Sequence, residues 1–327
     1  MRRILLASLL FTIPSVSSAT DVTPYLPAET DVVVTVNMRQ VSDSELGKKV
    51  GADLIKQLLG AVKQASTAVE ATGLDLLKDF EVINAGIDID HIDPPKPFVL
   101  FEGKFDLKKV QASIDAFVKA HPDKLSTVAV GEKTGYKIAG DKAEHTMYAA
   151  ILDEAKLVVA ATTDDLKGAF AALDGKRKPV ISKELAGLLA TAKSTAPIFA
   201  RAWVKGKLAE LRVPNEKLNA QVQKVDWAIA TVTVNKDVAF TLTVNCPDEA
   251  SAKLTSDLLG AVVGLIRLQI IAASEDQPEL KPISDLLRAT KVAPVGKQVV
   301  ATGSVKGEAI EKALKPMPEP KPDPKKK

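Results

Sequence analysis

Asp88-Ile89-Asp90-His91-Ile92-Asp93 is the densest run of metal-ligand side chains in the chain. A hard cation such as calcium takes several carboxylate oxygens around a turn, and its loop pattern needs acidic residues at alternating positions, a Gly and a distal Glu. Ile92 stands where the third alternating ligand belongs and Pro94 follows, so Asp88, Asp90 and Asp93 match that pattern only in part. On a strand Asp88 and Asp90 would share one face. The plainer expectation is a solvated strand end leading into the turn Asp93-Pro94-Pro95.

Other chemistry is sparser. His91, His121 and His145 are the three histidines, and no two stand at the helical spacing that binds zinc. His121 precedes Pro122 at the end of a predicted helix, where an imidazolium favours the helix dipole. The chain has no G-x-S-x-G elbow, no S-x-x-K, no phosphate-cradling G-x-x-x-x-G-K-[ST] and no G-x-G-x-x-G, so no known motif supports acyl transfer, nucleotide hydrolysis or a bound cofactor. Catalytic triads assemble from distant positions, which keeps an enzyme open as the alternative. Cys246 is the single cysteine. It falls at a strand-to-helix join, where a helix N-terminus lowers a thiol pKa, while its place beside a core strand points to a small buried residue.

The elements that must position these residues follow a repeated order. Asp31 to Asn37 is β-branched and reads as a strand. A helical region follows from about Asp43 to Thr72, with Gly73 placed to stop it. Phe80 to Ile89 and Phe98 to Phe105 are strand-like. The helix after Asp106 puts Leu107, Val110, Ile114, Phe117 and Val118 on one face, and the Asp106 carboxylate suits its N-cap. Strands near Thr127 to Val130 and Tyr136 to Ile138 lead to a hairpin of Met147 to Leu152 with Leu157 to Ala161, then a helix to Leu173.

Asp174 to Pro179 (DGKRKP) breaks the pattern and is read as a seam. Beyond it come a helix near Lys183 to Ala192, a strand from Pro197 to Val204, and a mostly helical stretch from Lys207 to Gln223. Strands at Asp226 to Asn235 and Val238 to Asn245 follow, then a long helix opening at Pro247, a strand at Val299 to Val305 and a helix at Ala309 to Leu314. The fold class is therefore α+β, with antiparallel sheets backed by helices in two halves, 20–176 and 177–314. Both halves contain the βαββαβ order of ferredoxin-like domains. A diverged duplication explains that order, with coincidence of a common pattern as the alternative.

Composition sets the compartment. Arg2 and Arg3, the apolar Ile4 to Ile13 and the small Ser17-Ser18-Ala19 form the three parts of a secretory signal over residues 1–19, so an exported, periplasmic or extracellular chain starting at Thr20 is expected. With 46% apolar residues and one cysteine, stability must come from a core rather than from disulfides. The tail Lys315 to Lys327 has Pro at every second position from Pro316 to Pro324 and five Lys. It reads as a disordered arm, able at most to make a weak electrostatic contact with an envelope surface. Without the signal and the tail, 37 basic residues face 39 acidic ones, which gives no electrostatic case for nucleic acid. Leu258 to Ala273 is the most apolar stretch after the signal, but Arg267 and Gln269 interrupt it. No transmembrane span is expected after cleavage, and the apolar side chains should be buried inside the protein or at a partner surface.

Tyr25-Leu26-Pro27, then Thr30-Asp31 and the strand Val32 to Asn37, resemble the opening of a group of exported bacterial proteins, common in planctomycetes, that carry no assigned activity. Gly73-Leu74-Asp75, Lys78-Asp79-Phe80 and Gly103 to Asp106 fit the same group. The resemblance spans about the first third of the chain. It implies an exported α+β scaffold and transfers no site. Together these readings favour a non-enzymatic envelope protein that binds a protein partner or an apolar ligand. An exported hydrolase or metal-dependent enzyme built on the Asp cluster is the alternative.

Overall fold

The computed structural model describes residues 21–52, 63–91, 96–140, 142, 145–192, 194–208, 216–276 and 280–314. The signal, Asp93 and the Lys-rich tail therefore lie outside the described residues. The first β-branched run forms β1 (Val32–Asn37), and α1 (Met38–Asp43) starts directly after it because the Asn37 side chain accepts from the Gln40 amide. A helical stretch over residues 45–52 and α2 (Lys63–Thr72) follow, and Gly73 ends α2 in the left-handed region at φ 66°. Then come β2 (Phe80–Ile87), β3 (Phe98–Gly103) and α3 (Leu107–Ala120), whose first turn is capped by Asp106 as its sequence implies. The hairpins β4 (Leu125–Val130) with β5 (Lys133–Ile138) and β6 (Met147–Asp153) with β7 (Lys156–Ala160) precede α4 (Thr163–Leu173).

The remainder consists of α5 (Lys183–Thr191), β8 (Ile198–Trp203), α6 (Glu216–Val222), β9 (Trp227–Val234) and β10 (Val238–Asn245), then α7 (Glu249–Asp276), α8 (Lys281–Ala289), β11 (Lys291–Val295), β12 (Gln298–Val305) and α9 (Gly307–Leu314). All twelve strands join one antiparallel sheet in the order β11-β12-β10-β9-β8-β1-β2-β3-β7-β6-β5-β4. The α+β class holds, but the halves share a sheet rather than forming two. Outward from the central β1–β8 pair, one side runs β1-β2-β3-β7-β6 and the other β8-β9-β10-β12-β11, with the β4–β5 hairpin extending the first.

The pairing departs from the ferredoxin-like unit. There a helix links strands that leave room for another strand between them. Here β1 and β2 are immediate antiparallel neighbours. Their connection holds more than one helical pass and delivers the chain back to the end of the sheet where β1 stopped, which is what an antiparallel neighbour requires.

Helices cover both faces of the first half, not one. Along β7, Leu157 belongs to a core with Val110, Ile114 and Phe117 of α3, while Val158 and Ala160 belong to a core with Leu166 and Ala169 of α4 and with Leu185 and Leu189 of α5. That alternation is the period-two consequence of a strand buried on both faces. The second half is thinner. Its fully buried apolar cluster is Cys246, Ala252 and Val299, and every residue of β10 is only partly buried.

Candidate functional site

Three carboxylates converge at the end of the sheet next to the β1–β8 junction. Asp31 immediately precedes β1, and its amide donates to the Ile87 carbonyl (3.0 Å), while its carbonyl accepts from the Trp203 amide (2.9 Å). Asp88 and Asp90 lie just past β2, where a short 3-10 turn over Ile89–His91 replaces the expected continuation of the strand. The turn exists because the Asp88 side chain accepts from the Asp90 amide at 2.9 Å, bending the backbone that a strand would have kept extended. Ligand atoms of Asp31, Asp88 and Asp90 all lie within 4.8 Å of one another. They do not splay toward water, so the solvated strand end expected for them is corrected. Asp93 lies outside the described residues, and Asp31 joins the pair instead.

A fixed cation already faces this group. Lys207, on the connection after β8, places its Nζ 3.6 Å from Asp31 Oδ2 and in contact with Asp90 Oδ2. The remaining oxygens also have partners: Asp31 Oδ2 accepts from the Ile89 amide at 3.3 Å, and Asp88 Oδ2 lies 2.6 Å from His91 Nδ1. Burial pushes the Asp31 carboxyl up, opposed by the Ile89 amide and by Lys207. The hydrogen bond to Asp90 leads in holding the Lys207 ammonium above the ordinary lysine range, against desolvation, with the charge of Asp31 adding to it.

Chemically this is a lysine-neutralised carboxylate cluster. Asp31, Asp88 and Asp90 have the hard oxygen donors that calcium or magnesium takes. An incoming cation would have to displace Lys207 from two of the three. His91 held by Asp88 resembles the base-and-orienter half of a hydrolase triad. The nucleophile half is missing: no Ser, Thr or Cys hydroxyl or thiol is hydrogen-bonded to His91 among the described residues.

The second candidate is the outward face of α7. Its inward face holds the buried Ser251, Ala252, Thr255 and Ser256, and Arg267 donates to the Leu287 carbonyl (3.1 Å) and the Thr290 carbonyl (3.5 Å) behind it. The outward face carries Leu254, Leu265, Ile266 and Leu268, with Leu265 64% and Leu268 67% exposed. A helix of a water-soluble protein places its apolar stripe inward. The polarity of α7 is reversed. Burial of Leu258 to Ala273 inside the chain is therefore corrected: the stretch is apolar, but its large side chains face away from the sheet. The helix opens at Asp248, whose carboxylate accepts from the Ser251 amide at 2.7 Å, so Pro247 precedes the cap rather than forming the first turn. The segment Glu249–Ile271 is 23 residues of a length and composition that could cross a membrane, and 11% of its most apolar window is buried.

An internal apolar cavity of about 60 Å³ lies between α3 and the sheet, lined by Phe80, Phe101, Ile114, Leu125 and Tyr136 among others. It is smaller than the roughly 150 Å³ that accommodates benzene, so it suits no ligand of useful size. Cys246 is buried, and burial raises its thiol pKa despite a 3.7 Å contact with the Thr255 hydroxyl. The helix N-terminus does not win there. His121 caps α3 through its amide and stacks on Phe117 at 4.7 Å, a structural role.

Two arginines that carry no motif prove to be organising residues. Arg201 on β8 donates to the Thr35 hydroxyl (2.9 Å), Thr35 donates to Asn84 Oδ1 (2.8 Å), and Asn84 donates to Glu102 (2.9 Å), a polar line across β8, β1, β2 and β3. Arg177, from the stretch read as a seam, donates to the carbonyls of Tyr25 and Leu26, both at 3.1 Å. Leu26 and Thr30 in turn pack against Gly86, where any Cβ would meet them at 3.0 and 3.1 Å. The Tyr25-Leu26-Pro27 and Thr30-Asp31 motifs are thus anchors of the β1–β2 edge.

No protein-family model and no curated protein matches the chain. Among solved structures, one described as crystal form IV of TP0453 is similar, at 8% identity and a TM-score of 0.46, covering 89% of this chain and 95% of that one.

Proposed function

We propose that this is an exported, non-enzymatic envelope protein, periplasmic or extracellular, that binds an apolar partner through the outward face of α7. The observation that carries the reading is the reversed polarity of that helix: Ser251, Thr255 and Ser256 inside, Leu254, Leu265, Ile266 and Leu268 outside. Exposed apolar surface of this kind costs free energy in water and is recovered when a partner covers it. The secretory pattern of residues 1–19 supports the compartment. The matching strand orders on either side of β1–β8 support a diverged duplication of the two halves.

The test is the distribution of the chain in the exporting cell. Replacing Leu265 and Leu268 together by Glu should move it from the envelope fraction to the soluble fraction while leaving its unfolding midpoint unchanged. An unchanged distribution would overturn the reading.

The convergence of Asp31, Asp88 and Asp90 supports the second reading, a metal-dependent hydrolase. It requires calorimetric binding of calcium, magnesium or zinc that Asp90→Ala abolishes. A flat titration eliminates it.

A further inference from the structure

The outward face of α7 has a definite chemistry, and resting on the reading above we infer that its partner is the surface of a phospholipid bilayer, on which the helix lies flat. Three observations favour lipid over a second protein surface.

The first is extent. Glu249–Ile271 is 23 residues, about 34 Å long, and a helix face roughly 10 Å wide offers on the order of 340 Å². A stable protein interface needs about 800 Å² from each partner. A bilayer needs no matching contour, and a helix of this length with one apolar face is the element that lies in its interface.

The second is how α7 is held. Ala252 and Leu259 pack in the small core with Cys246 and Val299, and Arg267 is tied to the Leu287 and Thr290 carbonyls, so the inward face belongs to the sheet. The helix can therefore present one side to lipid without leaving the fold, which is contact and not a span.

The third is charge. Exposed Lys253, Lys281, Arg288, Lys291 and Lys297 lie on α7, α8 and the β11–β12 hairpin. The chain then continues from Leu314, at the end of α9, into a tail with five Lys against Glu319 and Asp323. α9 packs on α8, so the tail departs from the same part of the molecule. Apolar insertion combined with a polybasic segment is the two-signal arrangement that holds a protein on an anionic membrane.

Flotation of the chain from Thr20 onward, which contains every described element, tests this with vesicles of phosphatidylcholine alone and with vesicles containing phosphatidylglycerol. The wild type should float with both, and more strongly with the anionic ones. Leu265→Glu with Leu268→Glu should lower binding at least about tenfold on both, because two side chains leave the apolar phase. Ending the chain at Leu314 should cost about tenfold on the anionic vesicles alone.

Gly260→Leu separates lipid from a second copy. Gly260 and Gly264 have open space where a Cβ would stand. Added apolar volume should strengthen lipid binding severalfold, whereas it would break a close helix-to-helix contact. Absence of flotation, or a dimer by sedimentation that Gly260→Leu dissolves, overturns the lipid assignment and leaves the apolar-partner reading standing. If the double Glu variant changes neither flotation, sedimentation nor the envelope fraction, both fail together.

Discussion

The two sides of the sheet solve the same burial problem to different degrees. On the β1–β7 side, strands are sandwiched between α3 on one face and α4 with α5 on the other, and Phe98, Leu100, Val158 and Leu166 are essentially inaccessible. On the β8–β12 side the fully buried cluster is three residues, two of them small. One side completes its core from its own chain. The other turns its longest helix so that Ser and Thr face the sheet and Leu and Ile face out, which makes sense only if another apolar phase finishes the burial.

The contrast can be broken at its strongest point. Phe98→Ala, at 1% exposure, should cost about 3 to 5 kcal/mol by urea denaturation, since it removes an aromatic ring from a filled core and leaves a cavity. A loss below 1 kcal/mol would mean that the first side is no better packed than the second. The join between the sides comes next. Arg201→Met keeps the aliphatic stem over Phe199 but removes the donor to Thr35, and should cost about 1.5 to 3 kcal/mol. The Arg201 Nε has no partner and burial pulls the guanidinium pKa down, so a smaller loss would show that desolvation had already cancelled most of the hydrogen bond.

How much of this was legible in the sequence follows the range of the interactions. Period-two alternation placed β10, and the Asp106 cap placed α3, because both signals are local. The strand β11 was missed: five residues containing Pro294 do not read as a strand, yet at the outer edge of a sheet Pro is tolerated. The nine-residue α8 was missed for its shortness. In the candidate cluster, Asp88 and Asp90 were visible as neighbours. Asp31 and Lys207 were not, because only pairing of β1 with β2 and β8 brings them there. The apolar stretch of α7 was plain, but its orientation was not. Composition reveals that a helix is apolar and leaves open which side faces the sheet, although Ser251, Thr255 and Ser256 on one stripe were a signal that could have been used.

The Lys207 cluster sharpens the comparison, since it ties Asp31 and Asp90 of one side to the connection after β8 on the other. The Lys207 pKa is raised in the folded chain from an ordinary 10.5, so its contribution is fully present below pH 10.5 and is lost as pH rises through the folded value. The difference in unfolding midpoint between wild type and Lys207→Met should be constant from neutral pH to about 10.5 and should shrink above it. Asp31 acts with the opposite sign: its raised pKa stabilises the fold fully below 3.8, and that contribution fades as pH rises through the folded value. A midpoint difference that stays level through strongly alkaline pH would show that Lys207 holds nothing together.

The smallest effect on stability should come from Ile266→Ala on α7. In a closed core, truncating Ile to Ala costs about 2 to 5 kcal/mol. Ile266 is 42% exposed on the face turned away from the sheet, so only part of its side chain leaves a packed environment when it is cut. Ala is also the better helix former by a few tenths of a kcal/mol, which offsets some of what is lost. The net change in the isolated chain should stay within about 0.5 kcal/mol in urea denaturation. The same substitution should weaken attachment to the envelope, because there the side chain is meant to be covered. A loss of 2 kcal/mol or more in the isolated chain would place Ile266 in a core of the protein's own, and the difference between the two sides of the sheet would then be one of degree.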